Sequence, residues 1–528
     1  MGAKILICDD LSEEGLAIFR KEKTFDVVIK TKLPLADLKK EIADAEACVV
    51  RSGTQLTREV IEAAQKLKVI GRAGVGLDNV DVEAASKKGI VVMNTPGGNT
   101  VSAAEQTFCL IMALARNIAQ ADASMKRGEW ERKKFTGHEL YDKTLGVMGL
   151  GRIGTEVTKR AQAFGMRVIA YDPYLRSEKA KQIGVDLVTI DELLQRSDFL
   201  TLHMPLTADN KYMIGAKELE KAKKGIHIVN CARGGLIDEK ALYDALKSGR
   251  VAGAGLDVFE SEPPKNTALV NLPNVVATPH LGASTEEAQI AVAVDVAQCI
   301  ADYLMGRGVR NAVNIPSLDP EVLRELQPYI RLAEKIGSLQ TQLIDGQIQQ
   351  VNISYFGEMI NYEMTPITIA IIKGMLTPIL AESVNYVNAS VLAKERGIKI
   401  IESKSSSHIS FANLIQVEVR TDKRQSSVAG TLFNREDPRI VMIDHFHVET
   451  VPDGYMLLVS NRDVPGIVGK VGTILGENKV NIAGMTFGRD KPGGQAMTLL
   501  NIDSVVSDAV LGQIKRAENI LDAKLIKL

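Results

Sequence analysis

Three glycines at the spacing Gly-x-Gly-x-x-Gly, Gly149, Gly151 and Gly154, have the pattern of a dinucleotide-binding turn. They follow an apolar run and open a helical pattern, as a loop that binds a pyrophosphate at a helix N-terminus requires. Asp172 ends the next apolar run, where a carboxylate accepts hydrogen bonds from the adenosine ribose and repels a 2′-phosphate. Arg176 lies close by and weakens this discrimination slightly. The pattern still predicts NAD as the cofactor.

Arg233, Glu262 and His280 each lie at or just beyond the end of a predicted strand. A guanidinium binds a carboxylate through two hydrogen bonds and polarises the neighbouring carbonyl. An imidazole takes or returns a hydroxyl proton near neutral pH, and a carboxylate behind it fixes its tautomer and stabilises its charged form. Each residue alone has an ordinary structural explanation, but together, beside a nicotinamide, they fit hydride transfer at an α-hydroxy acid.

The elements that must position these residues are strands and helices in alternation. Short runs rich in valine and isoleucine alternate with amphipathic segments up to about residue 98, and the same alternation resumes near residue 144. This pattern predicts an α/β fold with two doubly wound parallel sheets. Long helical patterns at about 101–127 and 285–305 would join the two halves. The cleft between them, at the carboxyl ends of the strands, is the expected site.

The remainder of the chain has a different pattern. Prolines around residues 314–330 indicate a linker, and residues 339–453 mix alternating strands with one apolar helix, which predicts a separate α+β module. Within that module, the serine-rich run ESKSSSHIS predicts a mobile loop. From about residue 454 the order of elements is strand, helix, strand, strand, helix, strand, which is the ferredoxin-like plan.

Composition excludes several classes of function. The formal net charge is −1, with no dense basic stripe, which argues against nucleic acid as a partner. No apolar run is long enough to span a bilayer. The five cysteines are scattered without a CxxC pair, which is typical of reduced thiols in a cytoplasmic protein. The His445-Phe-His447 pair lacks further ligands, so no metal site is predicted.

Three runs of sequence, VNCARGGLIDEKAL, GAGLDVFESEPP and ATPHLGAST, resemble the signature segments of the D-2-hydroxyacid dehydrogenase family. The resemblance implies that Arg233 binds the substrate, that His280 is the acid–base and that Glu262 is its partner. It also implies that Asp257 holds the nicotinamide carboxamide. The glycine motif matches the family's, which implies that Arg152 and Ile153 face the pyrophosphate.

The resemblance also implies a division into domains. A flavodoxin-like substrate-binding domain would comprise residues 1–98 and 284–312, around a Rossmann NAD-binding domain at 99–283. Residues 313–453 resemble the intervening domain of long-form 3-phosphoglycerate dehydrogenases, and residues 454–528 resemble an ACT regulatory domain.

Arg51 and Arg72 both follow predicted strands and are therefore candidates for binding a phosphate at the cleft. The runs RAGVGLDNVD and NTPGGNTVSAAEQT are similar to those of 3-phosphoglycerate dehydrogenases, which implies that both arginines contact the substrate. The loop residues expected to shape this site are Gly74, Val75, Asn99 and Thr100. The basic residues of WERKKF that could reach a neighbouring subunit's cleft are Arg132, Lys133 and Lys134.

The C-terminal run NRDVPG, followed by VNI, resembles the amino-acid-binding loop of ACT domains. An aspartate can pair with an α-ammonium group, and an asparagine can bridge both ends of an amino acid. The expected effector-binding residues are Asn461, Asp463 and Asn481, and the resemblance implies L-serine as the effector. The segment near 101–127 resembles the family's dimer-forming helix and ACT modules commonly pair, so a homotetramer is expected, or otherwise a dimer.

Together these resemblances imply NAD-dependent oxidation of 3-phospho-D-glycerate to 3-phosphohydroxypyruvate, the first step of L-serine biosynthesis. A general hydroxypyruvate, glyoxylate or lactate dehydrogenase would need the same three catalytic residues without the phosphate-binding arginines or the regulatory tail. An NAD-sensing corepressor or scaffold of the same fold is the alternative outside enzymes. The ACT-like tail and the lack of a disordered partner-recruiting extension favour the enzyme.

Overall fold

The computed structural model describes residues 2–265, 267–316, 320–380, 384–407 and 410–528. These residues form four sheets, two parallel, one mixed and one antiparallel, which confirms the predicted fold class. No helix in these ranges is long and apolar enough to cross a bilayer.

The first sheet is a five-stranded parallel sheet in the flavodoxin-like order β2-β1-β3-β4-β5. Its strands are β1 (Ala3–Ile7), β2 (Phe25–Ile29), β3 (Ala47–Val50), β4 (Val69–Arg72) and β5 (Val91–Met93), with helices α1 (Glu13–Lys21), α2 (Leu35–Ile42), α3 (Arg58–Ala63) and α4 (Val82–Lys87). Every residue of β3 is buried because helices cover both faces of the sheet. The side chains of Ser12 and Asp81 accept hydrogen bonds that cap α1 and α4.

The second sheet has seven parallel strands in the order β12-β11-β10-β9-β6-β7-β8. Its strands are β6 (Thr144–Met148), β7 (Arg167–Tyr171), β8 (Asp186–Leu187), β9 (Phe199–Leu202), β10 (Ile226–Asn230), β11 (Val251–Leu256) and β12 (Val275–Ala277). The helices in this part of the chain are α5 (Thr100–Ala115), α6 (Ile118–Lys126), α7 (Arg152–Ala163), α8 (Ser177–Gln182), α9 (Ile190–Arg196), α10 (Ala216–Lys221), α11 (Glu239–Lys247) and α12 (Glu286–Leu304). The strand order reverses between β6 and β9, the switch point at which doubly wound sheets bind nucleotides.

Of the two helices predicted to join the halves of the catalytic region, one is interrupted in the structure and the other is continuous. The predicted helix at 101–127 is wrong as a single element, because Asn117 adopts a left-handed conformation with φ 53° and separates α5 from α6. Asparagine tolerates this conformation better than most residues. In contrast, α12 is continuous, and its residues Val292, Val296 and Ile300 return to the core of the first sheet.

The third sheet is mixed, in the order β14-β13-β15-β16-β17-β18. It comprises β13 (Ile348–Gly357), β14 (Lys399–Ser405), β15 (Asn413–Thr421), β16 (Gln425–Phe433), β17 (Asp437–Ile443) and β18 (Phe446–Thr450). Its helices are α13 (Pro320–Leu343), a 3₁₀ turn at Glu358–Asn361, α14 (Thr365–Leu380) and α15 (Ala389–Glu395).

Two predictions for this region are wrong. Much of the predicted linker at 314–330 lies in α13, which contains Pro328 and packs an apolar face, including Leu326 and Ile336, into the domain core. Burial of that face outweighs the backbone hydrogen bond that a proline removes. In the predicted mobile loop, residues 402–405 lie in edge strand β14, because their backbone pairs with buried β13. His408 and Ile409 of that run lie outside the described residues.

The fourth sheet is antiparallel, in the order β20-β21-β19-β22. Its elements are β19 (Tyr455–Arg462), α16 (Ile467–Glu477), β20 (Ile482–Arg489), β21 (Gln495–Ile502), α17 (Asp508–Arg516) and β22 (Ile520–Lys527), which confirms the ferredoxin-like plan. One face of this sheet shares a core with the third sheet through Met456, Leu458, Met497 and Leu499.

The segment before α15 contacts the first sheet's domain directly. The Asn385 side chain donates a 2.9 Å hydrogen bond to the carbonyl of Gly89. Val387 is buried within the core formed by the first sheet and α12. Lys87 of α4 pairs with Glu395 of α15 at 2.8 Å. The third domain is therefore attached to the first by apolar, hydrogen-bonding and ionic contacts at one place.

Candidate active site

His280 and Glu262 form an ion pair at the carboxyl end of the second sheet. The distance between His280 Nδ1 and Glu262 Oε2 is 2.7 Å, and the backbone N–H of Phe259 donates to the other oxygen of Glu262 at 3.1 Å. His280 has a left-handed backbone, φ 56°. With Nδ1 bound to the carboxylate, Nε2 of the imidazole remains for a proton transfer.

Each partner in this pair shifts the pKa of the other. The hydrogen bond to Glu262 raises the pKa of His280 above its usual value, although partial burial opposes the shift. Burial raises the pKa of Glu262, but the hydrogen bond and charge of His280 outweigh burial and hold that pKa below its usual value. The pair is therefore favoured in its charged form.

A base must be neutral to take a proton, so we expect kcat/KM for oxidation of a hydroxy acid to rise with pH through an inflection above about 6.5. In the reduction direction, which needs protonated His280, kcat/KM should fall through the same inflection. Glu262→Gln removes the stabilising charge and should move both inflections to lower pH. The measurement is a pair of pH–rate profiles, and an inflection that stays in place in the variant would argue against this pairing.

Asp257 lies directly beneath the His280 loop and is fully buried. Its carboxylate accepts hydrogen bonds from Thr278 Oγ1 at 2.6 Å, from the N–H of Leu281 at 2.7 Å and from the N–H of Gly282 at 2.8 Å. Three of about four acceptor positions are thus used to hold the loop.

The glycine motif forms the turn between β6 and α7. Gly149 has φ 94°, and a Cβ on Gly154 would lie 2.0 Å from the Gly149 carbonyl oxygen, so the third glycine permits the close helix–strand approach. A Cβ on Gly151 would meet nothing within 4 Å, which leaves the N-terminus of α7 open to a pyrophosphate. Asp172 Oδ2 accepts a 2.9 Å hydrogen bond from the N–H of Leu150, next to this turn. These residues fit a dinucleotide.

The flanking residues Arg152 and Ile153 begin α7. Arg152 Nη1 donates to the carbonyl of Pro96 at 2.7 Å and so links the glycine turn to the segment that leaves the first sheet. Ile153 is partly buried against the core of the second domain.

Gly154→Ala should destabilise the protein by about 1–3 kcal/mol, because the added methyl overlaps the Gly149 carbonyl and must displace the turn or the helix. We expect a lower unfolding temperature together with weaker NADH binding, measured by thermal denaturation and nicotinamide fluorescence. Gly472→Ala in α16, where a Cβ meets nothing within 4 Å, is the matched control and should leave NADH binding unchanged. Equal NADH affinity in the two variants would contradict the role assigned to Gly154.

Three arginines, Arg51, Arg72 and Arg233, converge across the cleft. Burial lowers the pKa of Arg72 to about 10, and the charges of Arg233 and Arg51 contribute to the same shift. The Nε atom of Arg72 is buried and has no hydrogen-bond partner among the described residues. Concentrated positive charge with an unmet donor is the arrangement that an anion such as a carboxylate or phosphate would complete.

The loop after β4 lies between two of these arginines. A Cβ on Gly74 would lie 1.6 Å from Arg72 Nη1, and a Cβ on Gly76 would lie 2.0 Å from Arg233 Nη2. The Val75 carbonyl accepts a 2.7 Å hydrogen bond from Asn94. Asn99 is at the N-cap position of α5 but makes no side-chain capping hydrogen bond, and its buried Oδ1 has no partner among the described residues. Thr100 is the first residue of α5.

Three residues of the cleft escaped the sequence analysis. Asp9 accepts hydrogen bonds from the N–H groups of Arg51 and Thr54 at 2.6 and 3.1 Å, and thus shapes the loop after β3. Buried Asn79 donates to the carbonyls of the same two residues, at 2.7 Å each. Asp78 forms an ion pair with Arg233. The sequence did contain a signal for these residues, because Asp9 follows the first strand and the run DNVD, which contains Asp78 and Asn79, follows the fourth.

The structure does not bring the three predicted effector residues together within one chain. Asn461 is buried in β19, and Asp463 is paired with Arg489 at 3.1 Å. Asn481 donates to Asp503 at the opposite end of the sheet. The strand register separates it from Asn461 by seven residues, or at least about 20 Å.

The other two predictions concern the basic segment and metals. The side chains of Arg132, Lys133 and Lys134 are exposed, away from the contacts described above. Across the described ranges, no group of three or more His, Cys, Asp or Glu side chains could hold a metal ion.

Comparison with known proteins gives matches along the chain. Residues 108–282 match the D-isomer specific 2-hydroxyacid dehydrogenase NAD binding domain, residues 325–444 the D-3-phosphoglycerate dehydrogenase intervening domain and residues 455–519 the ACT domain. The predicted NAD cofactor is thereby confirmed.

Full-length relatives extend the match. The D-3-phosphoglycerate dehydrogenase of Methanocaldococcus jannaschii is 49% identical over 99% of this chain and 100% of its own, and that of Synechocystis is 45% identical over 100% and 95%. Among solved structures, D-lactate dehydrogenase from Aquifex aeolicus, complexed with NAD and lactic acid, is 30% identical, with a TM-score of 0.53 over 60% of this chain and 100% of that one. Because the similarity runs through the catalytic, intervening and ACT regions alike, this chain belongs to the D-3-phosphoglycerate dehydrogenase family.

Proposed function

We propose that this enzyme oxidises 3-phospho-D-glycerate to 3-phosphohydroxypyruvate with NAD, as the first step of L-serine biosynthesis. The observation that carries the proposal is the cluster of Arg51, Arg72 and Arg233 beside the His280–Glu262 pair. The substrate carries a carboxylate and a phosphate, so two anionic groups would complete this cluster.

When bound, the oxidised cofactor would supply the acceptor for the hydride that leaves C2 of the substrate. His280 takes the hydroxyl proton at Nε2, while Glu262 holds the imidazole through Nδ1 and stabilises the charge that forms. Arg233 binds the substrate carboxylate, and Arg51 and Arg72 neutralise the phosphate.

The surrounding residues hold the cofactor and the loops in place. Asp257 would hold the nicotinamide carboxamide through its side-chain carboxylate. Gly149, Gly151 and Gly154 allow the pyrophosphate to approach the N-terminus of α7, and Asp172 accepts hydrogen bonds from the ribose. Closure of the cleft would exclude water and align the reacting carbons.

The decisive measurement is the initial rate of NADH oxidation with phosphohydroxypyruvate and with hydroxypyruvate. We expect kcat/KM to favour the phosphorylated substrate by more than about 100-fold, or roughly 2.7 kcal/mol at the transition state. Equal values would mean that Arg51 and Arg72 are structural and that the enzyme is a general D-2-hydroxyacid dehydrogenase. No turnover of any hydroxy acid, together with capture of a peptide partner, would favour a corepressor or scaffold.

L-Serine is the proposed effector, bound by Asn461, Asp463 and Asn481. Because about 20 Å of strand separates Asn481 from the other two, a complete site would combine residues from two copies of the chain. A homotetramer would supply such pairs. Millimolar L-serine should therefore slow the enzyme, and Asn481→Ala should abolish this inhibition without changing the uninhibited rate. The assay is the same NADH oxidation measurement, and unchanged inhibition in the variant would remove Asn481 from the site.

The four sheets support the proposed division into domains at 1–98 with 284–312, 99–283, 313–453 and 454–528. In this division the substrate and cofactor bind between the first two domains, and the effector binds in the last.

A further inference from the structure

An ion pair crosses the cleft between the first two sheets. Asp78 lies in the loop between β4 and α4 of the first, and Arg233 follows β10 of the second. The distance between Asp78 Oδ2 and Arg233 Nε is 3.1 Å. Because the partners belong to different sheets, this contact depends on how close the two sides of the cleft are.

Asp78 holds one edge of the guanidinium and leaves the other edge available. Arg233 Nη1 donates to the Ala232 carbonyl at 2.7 Å, and Nε lies 3.1 Å from the Asp78 carboxylate as an ion-pair contact, so the guanidinium is held at two of its nitrogens. Three of its five N–H donors then remain, one on Nη1 and two on Nη2. A carboxylate that accepts from Nη1 and Nη2 would bind a guanidinium whose orientation is already fixed.

The surrounding loop is built to keep this pair in place. A Cβ on Gly76 would lie 2.0 Å from Arg233 Nη2 and 2.8 Å from Asp78 Oδ2, so only glycine permits both side chains to lie over it. The next residue, Asn79, is buried and ties the loop to the carbonyls of Arg51 and Thr54 at 2.7 Å each. Asp78 is thus connected both to Arg233 and to the loop after β3 that carries Arg51.

Neutralising the charge of Arg233 does not by itself explain why an aspartate lies at position 78. The Asp78 side chain is 73% exposed at the rim of a site that must admit an anion, where its charge repels the substrate. If Asp78 orients Arg233, the gain in binding of the substrate carboxylate offsets this repulsion.

We propose that Asp78 is a positioning residue that orients Arg233 from the opposite side of the cleft and so couples closure of the cleft to formation of the carboxylate site. This inference rests on the proposed function of Arg233 in binding the substrate carboxylate.

The test compares Asp78→Ala and Asp78→Asn with the wild-type enzyme on phosphohydroxypyruvate and on hydroxypyruvate. We expect Asp78→Ala to lower kcat/KM by about 10- to 100-fold on both substrates alike, mainly through KM, because both carry the carboxylate that Arg233 binds. Asp78→Asn keeps an oxygen acceptor for Nε and should remain within about threefold of wild type. Asp37→Ala, a surface carboxylate of the same domain, is the control and should change neither parameter.

A second measurement isolates the contact itself. Arg233→Lys lacks the Nε donor, so in that background Asp78→Ala should cause little further loss. Full additivity of the two substitutions would overturn the proposal. So would an unchanged or faster Asp78→Ala enzyme, a loss confined to phosphohydroxypyruvate, or a loss in Asp78→Asn as large as in Asp78→Ala.

Different results would refute the role proposed for Asp78 and the assignment of Arg51 and Arg72 to the phosphate. Equal wild-type rates on the two substrates would refute the phosphate site, yet the Asp78 variants could still be compared on hydroxypyruvate. Thermal denaturation of each variant separates orientation from folding, since the proposal expects unfolding temperatures equal to that of the wild type.

Discussion

Replacing His280 with alanine should reduce kcat for oxidation of 3-phosphoglycerate by about 10²- to 10⁴-fold, the usual contribution of a positioned acid–base. Nε2 of this imidazole is the atom that we propose takes the hydroxyl proton, and Glu262 holds the ring through Nδ1 at 2.7 Å. In the proposed binding mode the substrate's anionic groups bind elsewhere, to the arginines, so KM should change much less than kcat.

The measurement is steady-state kinetics in both directions, with His445→Ala as the control, because this exposed histidine lies in the third domain. The control should retain wild-type turnover. Near-normal kcat in His280→Ala would eliminate His280 as the acid–base. A large rise in KM with unchanged kcat would instead assign it to substrate binding.

Replacing Arg72 with methionine should lower kcat/KM for phosphohydroxypyruvate by about 100-fold, or roughly 2.7 kcal/mol, and change kcat/KM for hydroxypyruvate only a few-fold. Methionine keeps much of the apolar stem and removes the charge. The physical reason is the environment of Arg72, where a partly buried guanidinium beside Arg233 and Arg51 has an Nε with no hydrogen-bond partner in the described part of the chain. Such a group interacts strongly with an anion because little water competes with it.

The comparison between the two substrates makes this prediction specific. Arg20→Met, at an exposed ion pair with Glu13 in the same domain, should leave both values unchanged. An equal loss on both substrates would assign Arg72 to the carboxylate or to the architecture of the cleft.

Much of the fold could be predicted because hydrophobic periodicity is a local property of the chain. The alternating runs of the first 300 residues correspond to two parallel sheets, and β10, β11 and β12 are neighbours whose carboxyl ends point the same way. Residues that follow these strands, including Arg233, Glu262 and His280, must therefore lie near one edge. Proximity within a parallel sheet follows from strand order, so this part of the site was accessible from sequence.

The features that sequence reasoning missed depend on tertiary packing. Pro328 indicates a linker locally, but the apolar face of α13 gains more from burial than the proline removes. The polar run at 402–405 is a strand only because β13 provides a backbone to pair with. The Asp78–Arg233 contact joins residues from two sheets, and no periodic pattern within either sheet specifies how the sheets face each other.

The insertion of Val387 into the first domain's core has a consequence for how far the catalytic and regulatory regions can be separated. A chain that ended after α12 would expose the apolar surface that Val387 covers and would leave the Gly89 carbonyl without its Asn385 donor. In this chain the catalytic region has come to depend on its C-terminal partner for part of its folding free energy. Exchange of regulatory modules between relatives would therefore succeed only where residues 385–395 and the surface of the first domain that they contact are exchanged together.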